Sequence, residues 1–139
     1  GKTVHQLMRE VKLPDDLTIG EFHGKISWAV KTIWDEYAGW FHYEDGTTEL
    51  YGVPRSDVHA DLVELAGADA LAKRAQAHVA AGRRLEAIHL TDIILSVNPN
   101  HEAALRSKLA ALQDGLEASG SRNLRGLISH VETISFQVL

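Results

Sequence analysis

Histidines, carboxylates and hydroxyls are the side chains from which chemistry would come, and this chain spaces them singly. Eight histidines stand at His5, His23, His42, His59, His78, His89, His101 and His130. A zinc site needs three or four ligands converging on one point, often written as H-x-H or H-E-x-x-H. No histidine here lies three or four residues from another. His101-Glu102 stands at a helix start, where capping is the expected role. The chain has no cysteine, which excludes disulfides, thiolate nucleophiles and cysteine-ligated zinc. No G-x-S-x-G elbow and no phosphate-binding glycine loop occurs. Ser121-Arg122-Asn123 with Arg125 is a compact basic cluster, either an anion holder or a solvated helix start. The sequence therefore predicts no catalytic set, no metal site and no cofactor within these residues.

Composition narrows the partners. The chain has 139 residues and a net charge of −5, enough length for a real core. No basic stripe is present to neutralise phosphates, so nucleic acid is not expected as a partner. No apolar run reaches the roughly 20 residues of a membrane span, and no signal peptide is visible. The compartment stays open between cytoplasm and periplasm. The chain starts at Gly1, which reads as a domain excised from a longer protein.

The elements that would position any site are helical. All three tryptophans, Trp28, Trp34 and Trp40, lie in residues 28–54 with all three tyrosines, Tyr37, Tyr43 and Tyr51. Ile26, Val30, Ile33, Tyr37 and Trp40 recur at helical spacing, with Trp34, Ala38 and Phe41 beside them. This pattern predicts a helix from Ile26 to about Phe41, buried on more than one side, within an aromatic helix and loop spanning 26–54. Glu44-Asp45-Gly46 and Tyr51-Gly52-Val53-Pro54 are turn signals. Tyr37 then has two readings: a core residue with its hydroxyl bonded internally, or a side chain presented to another molecule.

Elsewhere the pattern predicts a short helix over 3–12 capped by Thr3 and stopped by Pro14. Another runs from Arg55 to Gly67 with Ser56 as its cap. Further helices are expected over 69–81, 84–97, 101–117 and 123–134, with Gly82 at a C-terminal turn and Pro99 as a break. The tail SFQVL is short and β-prone. Residues 71–100 have the shape of one tetratricopeptide unit, with small Ala75, a turn at Gly82 and a closing Pro99. The tetratricopeptide-like part extends over 69–117. No second full period follows, whereas at least three repeats make a solenoid groove.

The order of these elements resembles the dimerisation domain of alkylsulfatases, metallo-β-lactamase-fold enzymes that hydrolyse SDS-like esters. The resemblance rests on the opening GKTVHQLMREVKLP, the WAVKTIWDEYAGWF helix, Ala66-Gly67, Gly82 to Ala87, Pro99-Asn100 and Arg122-Asn123-Leu124. It covers nearly the whole chain. Two departures stand out. His42 replaces an acidic residue after Trp40-Phe41, and EDGTTELYGVP replaces a shorter D-G-N-P-type turn.

The resemblance implies an all-α helical bundle with a tetratricopeptide-like hairpin in its second half. It implies one dimerisation domain over 1–139, not catalytic alone, that pairs with itself and walls the cleft of a metal-dependent hydrolase. Zinc and the H-x-H-x-D-H ligands would belong to that separate catalytic domain. Candidate interface residues are Trp28, Trp34, Tyr37, Trp40 and Tyr51. Candidates near substrate are Tyr37, Trp40 and Phe41. The alternative is a tetratricopeptide-like peptide-binding adaptor.

Overall fold

The computed structural model describes residues 1–18, 20–21, 23–41, 46–119 and 122–138; the side chains of 49, 116–119, 124 and 135–138 are left aside. The fold is all-α. Among the described residues there are seven α-helices and no strand: α1 (Val4–Glu10), α2 (Ile26–Ala38), α3 (His59–Ala66), α4 (Ala68–Ala80), α5 (Arg84–Val97), α6 (Glu102–Ser119) and α7 (Arg122–Val138). No helix is long and apolar enough to cross a membrane among these residues. The chain divides into two compact units, Gly1–Pro54 with Gly120–Asn123, and Arg55–Ser119 with Leu124–Leu139.

In the first unit α1 begins with the capping box its sequence foretells. Thr3 Oγ1 accepts from the Gln6 amide at 3.2 Å, and Gln6 Oε1 accepts from the Thr3 amide at 2.8 Å, satisfying two donors a helix start leaves open. α2 packs its Val30 and Trp34 side, and no residue of α2 is fully buried. The expectation of a helix covered on several sides is therefore corrected. The helix also stops at Ala38, short of Phe41. Gly39 caps it at φ 76°, a left-handed conformation that costs a side chain but not glycine.

The second unit is built on small residues. Ala75 of α4, Ala87 of α5 and Ala111 of α6 are each essentially inaccessible and form one cluster. A methyl group at each contact lets three helices approach closely. Ile94 is packed with Ala72 and Ala104 in a second cluster. Leu105 and Leu112 of α6 meet Ile128 and Val131 of α7 in a third. Two hydroxyls are buried in this alanine-rich interior. Thr91 Oγ1 donates to the Ile88 carbonyl at 2.9 Å and Ser107 Oγ to the Ala103 carbonyl at 2.7 Å, so neither is left unsatisfied. The α4–α5 hairpin turns at Gly82, φ 71°, as the tetratricopeptide-like pattern predicts.

Three boundaries differ from the sequence reading. Residues Arg55–Val58 form a 3-10 turn before α3, and Val58, not Ser56, precedes the helix, without a side-chain cap. Lys25, not Ser27, precedes α2. The SFQVL tail is helical through Val138, because α7 simply propagates once nucleated.

Candidate functional site

Helix geometry decides what α2 can offer. Each residue advances about 100° around the axis. Ile33 and Tyr37 are one turn apart, on an edge beside the packed Val30 and Trp34. Tyr37 is 91% exposed, Ile33 57% and, just past the Gly39 break, Trp40 73%. Trp40 meets Phe41 at 5.9 Å between ring centres, with the planes tilted by 59°. The chain then returns through a 3-10 turn to Tyr51, 67% exposed.

The five interface candidates do not share one face. Trp34 is half-buried on the packed side. Trp28 is on the helix about 140° from Ile33 and exposes 40% of its surface. Tyr37, Trp40 and Tyr51 are the solvent-facing members. The reading of Tyr37 as a core residue is overturned by its exposure. The substrate-proximal candidates Tyr37, Trp40 and Phe41 remain neighbours at the end of α2. His42, Tyr43, Glu44 and Asp45, with the family departure at His42 and part of the predicted turn, lie outside the described residues.

The edge is set on a firm helix. Lys31 Nζ reaches both carboxylate oxygens of Asp35 at 3.0 and 3.1 Å, an i,i+4 pair. Glu21 Oε1 accepts from the first α2 amide, Ile26 N, at 2.9 Å. Asn123 Nδ2 donates to the His23 carbonyl at 2.7 Å, so part of the predicted basic cluster serves as a tie. Ser121 of that cluster is outside the described residues.

The polar pairs of the second unit are structural. His59 Nδ1 stands 2.9 Å from Ser96 Oγ. Ser96 also lies 2.8 Å from the Ile93 carbonyl, which can only accept. The single hydroxyl proton therefore goes to Ile93, and His59 donates to Ser96. That is the reverse of the direction a base-activated nucleophile requires. His101 is the cap its position foretells: Nδ1 accepts from the Ala104 amide at 3.3 Å, and Nε2 faces Asp69 at 3.2 Å. Glu86 is the one carboxyl with a clear shift. Its own backbone amide, then Arg83 Nε at 3.0 Å, hold it below its ordinary value of 4.5. No group of three or more histidines and carboxylates converges among the described residues.

An all-α domain with an uncovered aromatic edge has the form of a module built for association. The alkyl sulfatase dimerisation family model matches residues 3–132. The chain belongs to that family, and by that membership it is a dimerisation domain and not an enzyme by itself. No curated protein and no solved structure matched the chain.

Proposed function

We propose that this domain pairs two protomers of a metal-dependent hydrolase through the Ile33–Tyr37–Trp40 edge and Tyr51. The observation that carries the reading is the exposure of three aromatic side chains on one small unit. A buried aromatic covers roughly 150–250 Å², so Tyr37, Trp40 and Tyr51 at their observed exposures offer roughly 350–600 Å². A stable interface takes about 800 Å² from each partner. The three rings alone supply about half of that or more, and Ile33 adjoins them. Tyr and Trp are also the types that interface centres favour.

The parent activity is proposed as sulfate-ester hydrolysis. Its zinc would be held by a catalytic domain outside these residues, since no convergent ligand set stands here. Tyr37 would then offer a hydroxyl donor, and Trp40 with Phe41 an apolar wall, to a substrate at the domain boundary. The peptide-adaptor alternative has less support, because α4 to α7 make two helical pairs where a solenoid groove needs at least three.

Sedimentation equilibrium of the 139-residue chain over a wide concentration range tests the pairing. A dimer is expected, and a clean monomer at high concentration would overturn it. Tyr37→Phe in the full-length protein tests the second role. Lost turnover with intact dimerisation supports it, and unchanged kinetics leave Tyr37 to the interface alone.

A further inference from the structure

A groove between α1 and α2 carries a chemistry separate from the aromatic edge. It encloses about 480 Å³, inside the ~300–1,000 Å³ range of small-molecule sites. Its lining divides in two. Met8, Val11, Leu13 and Ile26 give apolar surface, while Arg9, Lys12 and Lys25 give three cations. Val11 and Leu13 are still 43% and 36% exposed, so nothing in the unit covers that wall.

The charges do not cancel locally. Two carboxylates, Asp15 and Glu21, also line the groove. Glu21 is engaged in capping the Ile26 amide. Arg9, Lys12 and Lys25 enter none of the ion pairs among the described residues, which are Lys2–Glu10, Lys31–Asp35, Arg83–Glu86, His101–Asp69, Arg106–Glu102 and Lys108–Asp92. A chain of net charge −5 thus keeps a concave patch with cations in excess. An inorganic anion would answer the cations and leave the apolar wall wet. A neutral hydrocarbon would cover the wall and gain nothing from the cations. A long stem on Lys or Arg serves both ends, its methylenes extending the apolar wall and its charge marking the rim.

We propose that this groove binds a single-chain amphiphile with one anionic head, its aliphatic chain against Met8, Val11, Leu13 and Ile26 and its head among Arg9, Lys12 and Lys25. The site does not depend on how the domain dimerises.

The test is calorimetric titration of the 139-residue chain with decanoate, decanol and decyltrimethylammonium, all kept below micelle formation. Decanoate is expected to saturate at one per chain, with decanol and the cationic amphiphile at least about tenfold weaker. Lys12→Glu/Lys25→Glu is expected to weaken decanoate by about tenfold, the combined effect of two exposed charge contacts. Lys73→Glu, an equal charge change on α4 outside the groove, is expected to leave binding intact. Circular dichroism checks that each variant folds, and Lys12→Gln with Lys25→Gln replaces the reversal should it unfold. Equal binding of decanol, unchanged decanoate affinity in the groove variant, or equal loss with Lys73→Glu would each overturn the proposal. So would a short acidic peptide that binds the groove more tightly than decanoate.

Discussion

Replacing Tyr37 and Trp40 together by serine separates folding from pairing. At their exposures the two rings present roughly 250–400 Å² per protomer. At about 25 cal/mol per Å² that is roughly 6–10 kcal/mol of potential burial, an upper bound that association never realises in full. Truncating an aromatic hot spot costs about 2–4 kcal/mol. The dimer constant of the double variant should therefore weaken by at least about 30-fold. The monomer should scarcely notice, because substitutions at exposed positions stay within about 0.5 kcal/mol. Sedimentation equilibrium reads the first quantity and urea unfolding at a concentration where both proteins are monomeric reads the second. Leu65→Ser is the control, since Leu65 on α3 is as exposed as Tyr37 but lies in the other unit. An unchanged dimer constant, equal dissociation with Leu65→Ser, or monomer destabilisation above about 1 kcal/mol would refute the reasoning.

Other perturbations address the scaffold. Ile94→Ala, at a fully buried side chain between Ala72 and Ala104, should cost about 2–5 kcal/mol by urea unfolding. Ala87→Leu forces three extra carbons into the Ala75–Ala87–Ala111 contact and should cost about 1–3 kcal/mol in the same assay. At Gly82 a Cβ would meet nothing within 4 Å; Gly82→Ala should therefore report backbone conformation alone, about 1–2 kcal/mol at φ 71°. The folded carboxyl of Glu86 titrates below its unfolded value of 4.5, so its contribution is present above about that pH and fades as pH falls through the folded value. Glu86→Gln should flatten the acid limb of a melting-temperature profile, and an unchanged limb would remove the Arg83 and backbone contacts from the account.

Local chemistry made much of this fold legible. Thr3 with Gln6, Gly67, Gly82 and Pro99 mark element ends because each answers a backbone requirement within a few residues. His101 could be assigned to capping for the same reason, and α5 has the predicted ends, Arg84 and Val97. Burial was less legible. The apolar pattern of α2 states that Ile33, Tyr37 and Trp40 avoid water, but not which molecule shields them. Counting them into this chain's own core was the natural error. At Gly39 the periodicity continued through Trp40 and Phe41 while the backbone broke, since side-chain spacing carries no information about φ. Ser56 is a good cap by type, and the 3-10 turn over Arg55–Val58 moved the start of α3 beyond its reach. The α1–α2 groove had no sequence signal, because its cations and apolar residues come from separate segments of one unit.

The hydrogen bond from Asn123 to the His23 carbonyl has a temporal meaning. The first unit takes residues from both ends of the chain, Gly1–Pro54 and Gly120–Asn123. During synthesis, Pro54 leaves the ribosome 69 residues before Asn123. At about 5–20 residues per second that interval is roughly 3–14 s. For those seconds α1 and α2 can form, but His23 waits for its donor. The aromatic rings of Tyr37 and Trp40 are meanwhile already translated. Neighbouring chains on one polysome would thus display the association edge before either chain had closed its own unit, which favours pairing between nascent copies of the same message.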